Sequence, residues 1–374
     1  MTEVAAPDQA RTTQAPTRLA SLKLQGFRNL ESFGFEPGPH FNVIHGDNGA
    51  GKSNLLESID YLGALKSFRG AKTDDLIGLG VDRATLEATI TGAAAPHSLS
   101  IELVRGRRRR LVLDGKRPRS TAVWQHTVQM VLFHPGDLAL ASGSPERRRA
   151  FLDRMLEQMD SVYATTLASY DKALRSRNRL LKEERTDRRS VRAYDAILSK
   201  AGAIVGQARA RIIEDLAPRV ETAFTEVFAG DTPLSVAYSP RVEPTEEAIA
   251  EALERSFEKD RARGFTADGP HGDDLELQLH DVRARHHGSQ GQHRTIVLAL
   301  KTAELDLLSE RTGRVPILLL DDVSSELDRS RNRRFFEVLS RAGGQVFLTT
   351  THPEFILLER DRVDFQVVSG VVTG

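Results

Sequence analysis

Eight residues constrain this chain more than any others: Gly46-Asp47-Asn48-Gly49-Ala50-Gly51-Lys52-Ser53. Two glycines separated by four residues and followed by Lys and Ser form the pattern of a phosphate-binding loop, which works only between a strand and a helix. Residues 41–44 are a short β-prone run entering the loop, and residues 54–62 have the apolar spacing of a helix leaving it. Glycines let backbone N–H groups curl around a phosphate, and the helix N-terminus adds partial positive charge. Lys52 would reach the β- and γ-phosphates, and the Ser53 hydroxyl would hold Mg²⁺. A chance glycine-rich turn is the plainer alternative.

The 374 residues suggest two or three domains, with 40% hydrophobic and 28% charged residues as in ordinary globular chains. No apolar run approaches the ~20 residues of a membrane span, so no membrane partner is expected. Residues 1–17 are polar and rich in Pro, Ala and Thr, and read as a disordered tail. The chain has no cysteine, which fits a reducing cytoplasm. Net charge is zero but uneven: residues 105–119 hold eight basic residues and one acid, 144–220 hold 17 Lys/Arg against 11 Asp/Glu, and 221–281 hold 5 against 15. An anion meets the local field, so a neutral total leaves room for nucleic acid.

Strand patterns are predicted at 19–25, 32–36, 84–91, 98–104, 109–113 and 128–133. From Ser144-Pro145, an N-cap followed by Pro at N1, helical periodicity runs to about 228 with a break near 185–190. A strand at 233–238, an acidic helix at 245–261 and a loop at 266–274 follow. Strand 275–279, helix 290–309, strand 315–320, helix 329–341, and strands 345–350 and 363–368 complete the pattern. α/β texture at both ends thus encloses a helical middle, predicting an ATPase domain in two halves, 18–140 and 266–374, interrupted by a helical insertion at 141–265.

Ile317-Leu318-Leu319-Leu320-Asp321-Asp322 is an apolar run ending in two carboxylates. A parallel strand buried on both faces needs such a run, and open α/β sheets place ligands at its C-terminal end. Mg²⁺ takes oxygen ligands beside phosphates, which points to Asp321, and Asp322 next to it can orient or deprotonate a water. Ser289-Gln290-Gly291-Gln292 opens a long helix and is a second ready phosphate site. One nucleotide needs only one such site from a sheet, so this one most simply serves the nucleotide of another subunit; by residues alone an ordinary N-cap fits equally.

These motifs, with Ser325-Glu326-Leu327-Asp328 and a His after the next strand, resemble an ABC-type ATPase head of the SMC class. Gly26-Phe27-Arg28-Asn29, the runs 143–153 and 170–182, Ser289-Gln290-Gly291-Gln292-His293-Arg294 and the run 321–328 are more specifically similar to the RecF family of bacterial recombination mediators, over nearly the whole chain. The resemblance implies an α/β ABC-type head, a mixed sheet with an antiparallel β subdomain, and a slow DNA-stimulated ATPase using ATP and Mg²⁺. It implies an ATP-dependent homodimer in which Ser289 touches the γ-phosphate across the interface and Asp328 belongs to the crossing loop. His352 matches the switch histidine, and Arg28 and Arg69 match arginines near the phosphates, although both could be solvated surface charges. The Mg²⁺-sensing position falls on His134 by spacing, with Gln129 the other candidate. Implied partners are gapped duplex or single/double-strand junction DNA, RecR, and indirectly RecO and RecA.

Arg107, Arg108, Arg109 and Arg110, with Arg175, Arg177 and Arg179 on the insertion, are the candidate DNA contacts, each with a solvated-face alternative. Two departures from the family pattern stand out. Asp322 occupies a position where many ABC heads have the longer Glu, and Gly272 replaces an Arg within Gly269-Pro270-His271-Gly272-Asp273-Asp274. Two other classes share some of these features: a transporter ATPase subunit, and an SMC-like tether, for which the helical middle is too short and irregular.

Overall fold

Central strands buried on both faces organise the molecule. The computed structural model describes residues 15–92, 95–183, 187–228, 232–322, 343–356 and 361–374. The described residues open with β1 (Ala15–Pro16), β2 (Arg18–Gln25), β3 (Phe33–Phe35), β4 (Phe41–His45) and helix α1 (Lys52–Ala64). β5 (Arg83–Thr91), β6 (His97–Val104) and β7 (Arg110–Leu113) lead to α2 (Thr121–Thr127) and β8 (Met130–Phe133). Helices α3 (Leu138–Ser142), α4 (Pro145–Met159), α5 (Ser161–Leu181) and α6 (Arg188–Phe228) follow, then β9 (Leu234–Ser239) and α7 (Glu246–Arg263). β10 (Asp274–Leu279), β11 (Val282–Arg283), α8 (Ala284–His287), α9 (Gln290–Thr312) and β12 (Arg314–Val315) precede the last strands. These are β13 (Ile317–Asp321), β14 (Val346–Thr350), β15 (Arg362–Val368) and β16 (Val371–Thr373).

The central sheet has the order β16-β15-β4-β14-β13-β8 and is parallel except for β16. Successive side chains on a strand face opposite ways. Ile44, Leu319 and Phe347 therefore join one core with α1 and the antiparallel sheet β3-β2-β5-β6-β7, while Val43, Leu318, Leu320 and Leu348 join another with α4, α6 and α9. Both faces are covered, as the fully apolar run at 317–320 requires.

Three boundaries differ from the sequence pattern. Ala15–Pro16 pairs in parallel with Arg314–Val315, and Thr17 N–H donates to Val315 O at 2.9 Å, so the end of the expected tail is ordered. The helical middle is not closed off at 265: β9 pairs antiparallel with β10 through six register positions, Leu234–Ser239 against Asp274–Leu279, and the lower half of α6 shares its core with α9 and the central sheet. Helix α2 lacks a strong sequence pattern and is held instead by Trp124, fully buried, whose Nε1–H donates to Leu62 O at 2.6 Å. The helix expected at 329–341 and residue Asp328 lie outside the described residues.

Candidate nucleotide-binding site

The loop between β4 and α1 is shaped by close approaches that only glycine permits. Gly46 has φ 150°, and a Cβ there would stand 2.2 Å from Val367 O. Gly370, in the turn between β15 and β16, has φ 88°; its N–H donates to Ala50 O at 2.8 Å, and a Cβ would come 2.0 Å from Asn29 O. Asn29 donates to Ala50 O (3.4 Å) and accepts from the Asn54 amide (2.6 Å). The C-terminal hairpin and the 26–30 stretch therefore brace the loop from two sides. Gly26-Phe27-Arg28-Asn29 stood out in the sequence as a family motif without its bracing role, and the Gly370 brace was not legible because it joins segments 320 residues apart.

Gly51 is the N-cap of α1 and Lys52 its first residue. Lys52 Nζ donates to Gly46 O (2.7 Å) and Asp47 O (2.8 Å) and is buried. Burial lowers its pKa, opposed by the nearby carboxylates of Asp322, Asp321 and Asp47. β14 lies between β4 and β13, with Thr349 opposite Ile44 on one side and Asp321 on the other. Parallel pairing thus brings out the loop after β4 and the carboxylates after β13 on one sheet edge. Thr349 Oγ1 donates to Asp321 Oδ1 (2.9 Å) and accepts from Asp322 N–H (3.0 Å). Asp322 has φ 52°, the left-handed region that a non-glycine residue occupies where its surroundings dictate it. A cavity of about 290 Å³ opens here, lined by Asn48, Gly49, Gly51, Lys52, Ser53, Asn54, Arg69, Asp322, Thr349 and Thr351.

Ser53 and Asp322 line the cavity, while Asp321, buried and bonded to Thr349, stands next to Asp322 without lining it; all three offer oxygen donors, the kind a hard cation such as Mg²⁺ prefers. Among the described residues no group of three His, Cys, Asp or Glu side chains could hold a metal alone. A cation here fits if a polyphosphate supplies the rest of its shell.

The two family arginines separate. Arg69 lines the cavity, donating to Asn54 Oδ1 at 2.8 Å with its guanidinium over the Phe68 ring. Arg28 does not line it: Nε and Nη2 clamp Glu57 at 3.0 and 3.1 Å and Nη1 donates to Asp75 O at 3.1 Å. Arg28, expected near the phosphates, is held here by Glu57 and Asp75. Glu57, fully buried, was missed because an acid on an apolar helix face carries no motif.

β8 runs parallel to β13, so its two ends are not equivalent. Gln129 precedes the strand, is fully buried, and accepts from Thr312 Oγ1 (3.0 Å) at the edge away from the loop. His134 follows the strand at the loop's edge, 3.2 Å from Asp137 Oδ1, with its ring 5.0 Å from that of Phe68. Chain direction therefore favours His134 over Gln129.

Ser289 is the N-cap of α9: its Oγ accepts from Gln292 N–H (3.2 Å) and its own N–H donates to Gln292 Oε1 (2.8 Å), with Gln290 and Gly291 forming the first turn. This end of α9 is exposed to solvent. His352 follows β14, exposed, with Nδ1 3.1 Å from Glu354 Oε1.

The basic candidates also divide. Arg107, Arg108 and Arg110 are exposed, as are Arg175 and Arg179. Arg109 is turned inward, donating to Leu65 O at 2.5 Å at the end of α1. Arg177 is fully buried, donating to Asp195 Oδ1 (2.6 Å), Asp260 Oδ2 (2.8 Å) and Thr266 Oγ1 (2.8 Å). Arg177 is a correction, since its guanidinium is enclosed and paired within the protein, out of reach of DNA; Arg109 is half-buried and tied to the end of α1. At Gly272 a Cβ would meet Arg241 Cγ at 3.0 Å, so the arginine that crosses this position belongs to another segment.

Comparison with known proteins agrees with this architecture. The family model described as RecF/RecN/SMC N terminal domain matches residues 18–369. The DNA replication and repair protein RecF of Anaeromyxobacter sp. (strain Fw109-5) is 38% identical, with 95% of this chain and 99% of the relative covered. RecF of Myxococcus xanthus (strain DK1622) is 37% identical over 89% of this chain and 90% of the relative. The solved structure of the recombination mediator protein RecF-ATPrS in the RecFOR pathway matches with a TM-score of 0.86 at 30% identity, covering 96% of this chain and 98% of that one. An Smc head domain from Pyrococcus furiosus, at 16% identity and a TM-score of 0.56, shares the fold. With an ABC-type head matched over nearly its full length, the chain belongs to the RecF family of DNA replication and repair proteins.

Proposed function

We propose that this protein is an ATP-gated, DNA-binding homodimer of recombinational repair whose slow ATP hydrolysis acts as a timer. One observation carries the reading: the loop 46–53, Arg69 and the strand-end Asp322 converge on a single cavity at the C-terminal edge of parallel strands. Solved relatives named RecF-ATP and RecF-ATPrS support a nucleoside triphosphate as its occupant.

In this reading the loop N–H groups and Lys52 hold the phosphates. Ser53 and Asp321 would hold Mg²⁺, which would supply neutralisation of phosphate charge. Asp322 orients the attacking water or takes its proton, and its short side chain accords with slow turnover. Ser289 at the exposed N-terminus of α9 caps the γ-phosphate in the second subunit, with Asp328 in the crossing loop and His352 as the switch residue, so ATP closes the dimer and hydrolysis opens it. Gapped duplex or junction DNA would lie against the basic hairpin, with RecR the direct partner, and RecO and RecA reached through it. Among the described residues no helix is long and apolar enough to cross a membrane.

Light scattering with and without ATP and gapped duplex tests the reading. Lys52→Met should abolish ATP-induced dimerisation, whereas Asp322→Asn should keep the ATP-bound dimer and slow turnover. An Asp322→Asn protein that stays monomeric with ATP overturns the assigned roles.

A further inference from the structure

One buried carboxylate beside the cavity has no part in the scheme above. Glu57 lies on α1 one turn beyond Ser53, on the same face, and is fully buried. Arg28 occupies both of its oxygens, at 3.0 and 3.1 Å, and Ser67 Oγ donates to Oε1. The Ser67 hydroxyl oxygen accepts in turn from the N–H groups of Arg69 (3.1 Å) and Ala71 (3.2 Å), so Glu57 orders the turn that carries Arg69. Arg69 Nη1 stands 3.9 Å from Glu57 Oε2, beyond hydrogen-bond range, and donates instead to Asn54.

Two guanidiniums thus surround one carboxylate. Arg28 satisfies it with a bidentate pair, and Arg69 is oriented by it but not consumed. One positive charge is left over, and it lies on the residue that lines the cavity. A planar guanidinium held at the rim of an N–H-lined loop suits a phosphate oxygen.

We infer that Glu57 is a positioning residue for nucleotide phosphates: it binds Arg28 to keep that arginine off the site, and through Ser67 it sets Arg69 against the phosphate chain. This inference rests on the nucleotide reading of the cavity.

Titration of the full-length protein with a fluorescent ATP analogue and Mg²⁺ tests it. Glu57→Gln should weaken binding about tenfold, as expected for loss of one well-aligned charge-assisted contact, but by less than about twofold in an Arg69→Ala background, because the two act through one contact. Ser67→Ala, which leaves the buried Glu57–Arg28 pair intact, should show the same dependence on Arg69 with a smaller loss, and covers the case in which Glu57→Gln does not fold. Equal losses with and without Arg69, or unchanged affinity in Ser67→Ala, overturn the inference, since a merely structural residue would act regardless of Arg69. Lys52→Met separates the two levels: if it retains full affinity, the nucleotide reading itself fails, whatever Glu57 does.

Discussion

Arg177→Met should destabilise the helical region rather than weaken a DNA surface. The Arg177 and Asp260 side chains are both fully buried, and the guanidinium also holds Asp195 and Thr266. Methionine replaces its length but not its charge. Asp260 would keep the Ser256 hydroxyl (3.0 Å) and Ala267 N–H (3.2 Å), neither of which neutralises it. Removing one partner of a buried pair costs about 3–5 kcal/mol, because the other charge stays desolvated. With a urea slope near the top of the usual range, about 3 kcal/mol per M, the midpoint should fall by about 1–1.7 M. Burial already pushes the Asp195 carboxyl above its ordinary range, with Arg177 pulling it back. Without Arg177 a protonated Asp195 is favoured in the folded state, so the deficit should be largest at neutral pH and shrink on acidification. Arg175→Met and Arg179→Met, on exposed positions, should stay within about 0.5 kcal/mol. Urea unfolding followed by circular dichroism, paired with duplex binding at a temperature where every variant is folded, makes the comparison. An unchanged midpoint together with reduced DNA affinity for Arg177→Met would return that residue to the surface and refute the reasoning.

Changing the exposed Arg107, Arg108 and Arg110 to Ser, while leaving the anchored Arg109, should lower the slope of log affinity against log salt for duplex DNA by about 0.9 per lost phosphate contact; an unchanged affinity and slope in fluorescence anisotropy removes this hairpin from the DNA face. His271 contacts Tyr170 OH (2.6 Å) and Thr266 O (3.0 Å), and burial pushes its imidazole below the ordinary range, with nearby Arg149 pushing the same way. The folded state therefore resists its protonation: the stability it contributes is complete above the unfolded value near pH 6.5 and is lost as pH falls below it, by at most about 1.4 kcal/mol per pH unit. His271→Gln should flatten that part of the stability–pH curve between pH 7.5 and 5.5, and identical curves for the two proteins would count against a buried neutral imidazole.

Much of the site was legible because its chemistry is local. The loop 46–53 depends on glycine backbone conformations that few other residues adopt, so the residue types announce the shape. The apolar run into Asp321 reads as a buried parallel strand for a similar reason: both faces must be covered, and the carboxylates mark where it ends. Helix starts at Pro145 and after Ser289 follow from chemistry confined to a few residues, Pro at N1 in the first and a Ser side-chain cap in the second. Even the order of strands and helices follows from periodicity over short windows.

What the local pattern left open was decided by groups distant in the chain. An arginine is written identically whether it meets water or a carboxylate 83 residues away, so the burial of Arg177 against Asp260 needed the packed helices. Arg28 and Arg69 look alike until Glu57 takes one of them and leaves the other at the cavity. Gln129 and His134 flank one four-residue strand, and only the direction of that strand within the sheet places His134 on the loop's edge. The support that Gly370 gives to Ala50 joins the last strands to the first loop, 320 residues apart, through a backbone hydrogen bond that no side chain encodes. Residue type determines which chemistry is available; desolvation and neighbouring charge, set by tertiary packing, determine which of those groups reach a ligand.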